Sequence, residues 1–314
     1  MTYCTIVVPA YNEADSIRQV VERIRSVMSA AKMDCEVVVV VDGATDQTAE
    51  NALPVADSVI VHPVNLGYGR SLKTGILAAR SEMIAITDAD GTYPVERLPE
   101  MLRRAERFHM VVGARTGRFY QGSMIKRIGR IVFRQLSEFA AGQSIPDINS
   151  GLRVFRRSQI MPFFPIISAG FSFTTTSTLA YLLNDLLIDY LPIEYHRRSG
   201  QSKVHHLRDS LRALQIILEA ILRCNPIKAF LLLAVPFAVA TTGFGFGGLI
   251  VRSMTMVSIS AMFLCTTGLI MGGGFLAVAV MPQRRIVDQS TPLQSMSVPT
   301  KTSTEASQER GSND

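Results

Sequence analysis

Glu36-Val-Val-Val-Val-Val41 runs straight into Asp42-Gly43, five consecutive valines ending on a carboxylate and a glycine. β-branched residues without polar alternation mark a strand buried on both faces. Working outward, Cys4-Thr-Ile-Val-Val-Pro9 is a second such strand. Between them, Ala14–Ala31 places Ile17, Val20, Val21, Ile24, Val27 and Met28 at helical spacing. Downstream the pattern predicts a strand at Ser58–His62, a helix at Ser71–Ala79 and a strand at Met83–Thr87. A helix over Val95–Phe108, started after Pro94, and a strand at Met110–Gly113 follow. This alternation is an α/β fold with a mostly parallel sheet covered on both faces. Ligands of such sheets bind beyond the carboxyl ends of the strands, and Pro9, Asp42, Asp88, Asp90 and Arg115 all fall there.

The residue types at these ends suggest chemistry. Asp88 and Asp90 flank one residue after a strand. Hard carboxylate oxygens suit Mg²⁺ or Mn²⁺, and Mg²⁺ is usually held by one or two carboxylates plus substrate phosphates. Taken alone, the pair is equally compatible with a surface turn. Asp42 could accept a hydrogen bond from a base or ribose, or serve as a turn carboxylate in Asp42-Gly43-Ala44-Thr45-Asp46. Asn65-Leu-Gly67-Tyr-Gly69 precedes a helix carrying Lys73; glycines permit close backbone approach, and a helix N-terminus favours negative charge. Arg115–Arg134 holds six basic residues, Lys126 and Arg127 among them, and no acid. That run fits a phosphate site or a solvated basic face.

Apolar residues make up 47% of the 314 residues and charged ones 18%, which excludes a disordered or fibrous chain. A mean hydropathy of +0.23 is high for a soluble enzyme, and the excess sits late. Ala229–Val251 and Met256–Met281 contain no charged residue, over 23 and 26 positions. As helices they reach about 35 and 39 Å, against about 30 Å for a bilayer core. The net charge of +6 fits anionic lipid head groups; no nucleic-acid motif is visible. Leu207–Cys224 has an apolar stripe, and Arg197–Arg212 carries five basic residues against Asp209, as an interfacial helix or one packed on the domain does. Gly243/Gly247 and Gly268/Gly272 are spaced to let membrane helices approach, within the hairpin or in a homo-oligomer. The four cysteines show no metal or disulfide spacing. No signal peptide precedes the first strand, whose apolar run starts at once, so residues 1–228 are expected to lie in the cytosol.

The order of motifs is more specific than any one of them. Pro9-Ala-Tyr-Asn-Glu13, Val40-Val-Asp42-Gly-Ala-Thr-Asp46, Asn65-Leu-Gly-Tyr-Gly69 and Asp88-Ala-Asp90-Gly-Thr-Tyr-Pro94 follow one another. This string resembles the family 2 glycosyltransferases, with the Rossmann-like GT-A nucleotide-sugar-binding fold. Gly113-Ala-Arg115, Ile145-Pro-Asp147-Ile-Asn-Ser-Gly-Leu-Arg153 and Arg197-Arg-Ser-Gly-Gln-Ser202-Lys203 look like its dolichyl-phosphate mannosyltransferase branch. That branch includes bacterial polyprenyl-phosphate glycosyltransferases with a C-terminal membrane hairpin.

The resemblance implies a catalytic GT-A domain over 1–204, a juxtamembrane amphipathic helix over 205–228, a transmembrane hairpin over 229–281 and a disordered polar tail over 282–314. Pro9, Ala10, Tyr11, Glu13, Asp42, Gly67, Lys73 and Asp88 would bind the nucleotide, Asp42 through the base. Asp88 and Asp90 would hold Mg²⁺ or Mn²⁺ on the donor diphosphate. Arg115, Lys126 and Arg127 would meet the phosphate of an undecaprenyl or dolichyl acceptor. Arg197, Arg198, Ser202 and Lys203 would close over phosphates. Asp147 would orient an acceptor-site arginine or structure its loop. Val41 stands where the family often has a first carboxylate, and Gln201 where relatives are often basic. The implied activity is inverting transfer of a sugar, UDP-glucose being the expected donor, at the cytoplasmic face of a bacterial inner membrane. A polysaccharide synthase would normally carry Gln-x-x-Arg-Trp, and this chain has no tryptophan. A non-catalytic nucleotide-sugar-binding regulator is expected to lack the paired aspartates or the phosphate-loop cations.

Overall fold

The valine run forms β2 (Cys35–Asp42), buried from Glu36 onward. Beside it lies β1 (Cys4–Ala10) in parallel register, Cys4 opposite Cys35 and Ala10 opposite Val41. These coordinates are a computed structural model that describes residues 3–117, 124–196, 215 and 226–280. The remaining strands are β3 (Ser58–His62), β4 (Met83–Ile86), β5 (Met110–Thr116), β6 (Arg153–Arg156) and β7 (Ile188–Glu194). They form one seven-stranded sheet in the order β3-β2-β1-β4-β6-β5-β7. Six strands share a direction. Only β6 runs against them, paired antiparallel to both β4 and β5.

Alternate strand residues part to two faces, as the two-residue period requires. Ile6, Val8, Val37, Val39 and Val41 pack with Ile17, Val21 and Ile24 of α1 (Ile17–Ala30). Leu98, Met101 and Leu102 of α4 (Leu98–Arg104) lie on the same face; α2 (Thr48–Ala52) and α3 (Tyr68–Ala78) come between these helices in sequence. On the other face, Val7, Val38 and Val40 pack with Leu72 and Ile76 of α3. The chain continues through α5 (Met124–Ala141), the short α6 (Arg157–Ile160) and α7 (Phe173–Leu182). Every residue of α7 is buried although it reads Phe-Thr-Thr-Thr-Ser-Thr-Leu-Ala-Tyr-Leu. Three of its hydroxyls are satisfied by carbonyls about one turn back, Thr176 on Ser172 O, and Ser177 and Thr178 on Thr174 O.

Several boundaries differ from expectation. Helix α3 starts three residues early, because Gly67, at φ +99°, turns the chain into it. The helix expected over 95–108 is a 3₁₀ turn, Val95–Arg97, followed by the shorter α4. Strand β5 runs on to Thr116 because β7 pairs with its whole length.

Two long helices close the described chain, α8 (Pro226–Val251) and α9 (Met254–Val280), turned by Arg252 at φ +51° and Ser253. Their 26 and 27 residues reach about 39 and 40 Å. Both are long and apolar enough to cross a membrane, and only 6% of each apolar window is buried. A soluble core helix would be mostly covered, so these apolar faces suit lipid. The small residues that seat the pair are not the spaced glycines of the sequence pattern. A β-carbon at Gly274 would lie 2.8 Å from Phe230 Cβ, and one at Gly248 3.0 Å from Val257 Cγ2. Gly243, Gly268 and Gly272 have nothing within 4 Å, so they do not join the hairpin to itself. Within 205–228, Gln215 is helical and 226–228 begin α8. The rest of that segment and the tail from 281 lie outside the described residues.

Gly75 lets α3 lie on the sheet. A β-carbon there would be 2.3 Å from Val7 Cγ1 and 3.1 Å from Val40 Cγ2. Gly75→Ala is expected to destabilise the domain by about 1–3 kcal/mol, measured by thermal unfolding in detergent. Burial pushes the Cys4 thiol up to about 12. At pH 8 it is almost wholly protonated, so a maleimide should label Cys4 only after denaturation.

Candidate active site

The carboxyl ends of β2, β1 and β4 lie side by side. They carry Asp42, then Pro9 and Ala10, then Asp88 and Asp90 just past β4. Arg115 comes from β5, two strands further along the sheet.

Loops on the β1–β2 side are fastened to each other by side chain–backbone bonds. Asn12, at φ +52°, accepts from the Thr45 amide at 2.8 Å through Oδ1. Glu13 donates its amide to Thr48 Oγ1 at 2.9 Å. Asp46 accepts from the amides of Ala14 and Thr48, 3.1 Å each, and from the Thr48 hydroxyl. Burial alone would raise the Asp46 pKa, but these bonds outweigh it and hold the carboxyl below its ordinary value. Tyr11 is half-buried between these loops and the end of β1.

Asp42 is engaged by the protein itself. Its Oδ1 pairs with His62 Nδ1 at 2.8 Å and accepts from the Leu66 amide at 2.9 Å. Its Oδ2 accepts from the Gly67 amide at 2.8 Å. Buried and engaged on three sides, it fixes the Asn65–Gly67 turn from below. Gly43, at φ +64°, touches the same turn: a β-carbon there would lie 2.3 Å from the Val64 carbonyl carbon. Lys73 likewise has partners within the protein. Its ammonium donates to the carbonyls of Phe164, at 2.7 Å, and Ile167, at 2.5 Å, and lies over the Phe164 ring. It staples α3 to the 161–167 segment.

Asp88 and Asp90 sit in a tyrosine-lined turn. Tyr68 donates its hydroxyl to Asp88 Oδ1 at 2.9 Å. Burial and the Asp88 charge push the Tyr68 pKa well up, so it stays a donor. Asp90 is buried, and its Oδ1 accepts from the Thr92 amide at 3.1 Å and hydroxyl at 2.6 Å. The Tyr93 hydroxyl accepts from the Gly151 amide at 2.7 Å, and its ring meets Tyr195 edge-on. A β-carbon at Gly151 would stand 2.8 Å from Asp88 Oδ1, so only glycine fits beside that carboxylate. Among the described residues no group of three or more His, Cys, Asp or Glu could hold a metal ion. The donor set is two carboxylates. It fits a hard cation whose other positions are filled by ligand phosphates and water, and does not fit an all-protein cage.

On the far side Arg115 is gripped by Asp147. The pair is bidentate, Nε–Oδ2 at 2.7 Å and Nη2–Oδ1 at 3.0 Å, and the Arg115 amide also donates to Oδ2. The guanidinium lies over the Tyr195 ring, 5.5 Å from its centroid. Of the two roles open to Asp147, the geometry builds both: it orients Arg115 and, by accepting from the Asn149 amide, shapes its loop. Arg153, fully buried, donates to the carbonyls of Ile148 and Ser150, both at 2.7 Å, and to Thr178 Oγ1 at 2.7 Å. Lys126 and Arg127 lie in the first turn of α5, but their side chains are outside the described residues, as are Arg197, Arg198, Ser202 and Lys203. The chain approaches that segment through His196, whose amide donates to Thr92 O.

Sequence reasoning missed Tyr68, Thr92, Tyr93, Tyr195 and Arg153. All but Tyr195 stand inside quoted motifs, but nothing in their spacing separates a side chain that hydrogen-bonds from one that only packs. The Asp147–Arg115 pair gives a direct test. Asp147→Asn keeps the shape and removes the charge, leaving Arg115 uncompensated. It should lower the unfolding free energy by about 3 kcal/mol, read by denaturant titration against the wild type.

The glycosyl transferase family 2 profile matches residues 5–162. The low-salt glycan biosynthesis hexosyltransferase Agl6 of Haloferax volcanii is 30% identical over 220 residues, 68% of this chain. The chain spans only 52% of that protein's length. A dolichyl-phosphate hexose transferase of the same organism is 29% identical over 203 residues, 63% of this chain and 85% of its own. The undecaprenyl-phosphate 4-deoxy-4-formamido-L-arabinose transferase of Pseudomonas fluorescens is 28% identical over 255 residues, 76% of this chain and 70% of its own. Among solved structures, glucosyl-3-phosphoglycerate synthase from Mycobacterium tuberculosis, in complex with Mn²⁺, UDP-glucose and phosphoglyceric acid, superposes with a TM-score of 0.58. That likeness covers 69% of this chain and 79% of the other at 18% identity, and concerns the fold alone. The family match runs from Thr5 in β1 through β6, so it takes in both Asp88 and Asp90 and the Arg115–Asp147 pair; the chain belongs to glycosyl transferase family 2.

Proposed function

We propose that this protein moves a sugar from a nucleoside-diphosphate sugar, UDP-glucose, to a polyprenyl phosphate held in the membrane. The product is a polyprenyl-phosphate-linked monosaccharide for envelope glycan or glycoconjugate modification. The observation that carries this reading is a juxtaposition. A carboxylate pair and a clamped arginine face one sheet edge, on a chain that also carries two bilayer-length helices. The relatives named as dolichyl- and undecaprenyl-phosphate transferases support it. The UDP-glucose bound in the solved synthase structure supports the choice of donor.

In this reading the nucleotide lies against Pro9, Ala10, Tyr11 and Glu13, and its diphosphate reaches Gly67 and the aspartates. Asp88 and Asp90 would hold a Mg²⁺ or Mn²⁺ ion, which would supply positive charge to the leaving diphosphate. Tyr68 and Thr92 keep those two carboxylates in place. The acceptor is a phosphate monoester with a second pKa near 6. It reaches the site as a nucleophile and needs no strong general base. Arg115, steered by Asp147 and backed by Tyr195, supplies a fixed charge that positions it. Lys126 and Arg127 add to that site, and Arg197, Arg198, Ser202 and Lys203 close over phosphates. In-line attack on the anomeric carbon breaks its bond to the diphosphate oxygen and inverts the centre. The catalytic domain, 1–204, faces the cytoplasm of a bacterial cell, with the hairpin at 229–281 in the inner membrane. Arg284 and Arg285 beyond the second helix agree with the positive-inside rule.

Product analysis tests this. Purified protein in detergent receives polyprenyl phosphate, Mg²⁺ or Mn²⁺ and a panel of UDP- and GDP-sugars. Mass spectrometry should find a glycosyl-phosphoryl-lipid from UDP-glucose. Asp90→Ala should lower its formation by at least about 100-fold, since removing one element of transition-state charge stabilisation costs that much. Nucleotide release without a sugar–lipid would move the acceptor elsewhere.

A further inference from the structure

We infer that Lys228 is a positioning residue that ties the membrane hairpin to the acceptor clamp. This inference rests on the polyprenyl-phosphate reading above. Lys228 is in the first turn of α8, the positive end of its own helix, where a cation is disfavoured. At the border of a membrane helix a lysine usually extends to the lipid head groups. Here it does something else. Its ammonium donates to the carbonyl of Phe139 at 2.7 Å and approaches that of Ala140 at 3.5 Å, while lying over the Phe139 ring. Those carbonyls belong to the last turn of α5, where carbonyls lack helical partners and the dipole favours a cation. The lysine therefore caps a helix other than its own.

The contact continues toward Arg115 without a gap. Helix α5 ends at Gly142, at φ +73°, whose amide donates to Glu138 O. From the same turn, the Glu138 carboxylate accepts from the Ile145 amide at 2.9 Å. Ile145 and Ile148 are buried with Ala140, Leu179 and Leu182, and Ala229, next to Lys228, packs on this cluster. Asp147 stands between the two isoleucines with both oxygens on Arg115. A shift of α8 relative to the domain is thus transmitted to the arginine through residues 138–148. The chemistry explains the need. A polyprenyl phosphate is tethered at the depth of its tail, so a clamp must be held at one height above the bilayer to meet it.

The test uses the full chain in lipid nanodiscs, with wild type, Lys228→Met and Lys228→Arg. Each is assayed with a long-chain polyprenyl phosphate in the bilayer and with a short, water-soluble isoprenyl phosphate. Loss of a charge-assisted hydrogen bond predicts that Lys228→Met raises the KM for the long-chain acceptor about tenfold. The KM for donor and the rate with the short acceptor should stay at wild-type values, and Lys228→Arg should recover most of the loss. Hydrogen exchange should quicken at the amides of Gly142 and Ile145 and stay unchanged in β1 and β2. Equal losses on both acceptors, or no change on either, would overturn the positioning role. A wild-type protein that glycosylates neither acceptor would instead overturn the polyprenyl-phosphate reading, and this inference with it.

Discussion

A single buried cation organises the half of the molecule that the sheet alone does not. Arg153 is fully enclosed, and among the described residues its hydrogen-bond partners are neutral oxygens and one sulfur rather than a carboxylate. Burial lowers its pKa, opposed by Tyr190 and Asp147, but a guanidinium remains charged. Such a charge is tolerated only if each of its donors is satisfied. The oxygens that satisfy it come from the 148–150 loop and from α7. That requirement holds the loop in shape, and the loop carries the contacts that matter. Asp147 reaches Arg115, Ser150 bonds Gly113 O, Asn149 accepts from Thr175, and Gly151 rests against Asp88. The Asp88 and Arg115 sides of the site are joined through the seven consecutive residues 147–153.

A common device recurs at the strand ends. Asp42, Asp46, Asp90 and Asp147 each accept at least one backbone amide. A carboxylate that gathers amides fixes a loop without needing a core beneath it. The nucleotide-side turns are thus built from polar parts on an apolar floor. Rigid placement of this kind suits a site that must stabilise developing charge without rearranging.

Legibility followed the physics of each segment. Strands buried on both faces show as unbroken apolar runs, so β1, β2, β4 and β5 could be read directly, as could the apolar run of the edge strand β3 and the two long helices. Helix α7 could not, because its run of threonines and serines mimics a loop composition, although Thr176, Ser177 and Thr178 bond carbonyls about one turn back. Strand β6 escaped because it opens on a charged residue, Arg153, which is its largest fully buried side chain. For the site, position at strand ends singles out Asp88, Asp90 and Arg115. The protein partners of Asp42 and Lys73 were not legible, for one reason. A charged residue near a glycine turn reads the same whether its partner is a ligand or a backbone group from 25 or 91 residues away.

The lone antiparallel strand has a consequence for how the protein comes to be made. Strands β1 to β4 pair among themselves and use only the first 86 residues. Strand β5 emerges next but has no place to dock, because its slot beside β4 belongs to β6, whose residues come more than thirty-five positions later. Pairing across such sequence distances is slow. A half-sheet therefore waits on the growing chain with β4 as an open edge, a surface prone to wrong partners. It stays open until Arg153 arrives with the strand that seals it. The apolar helices come out only after that, so the domain has its full sheet within reach before they emerge.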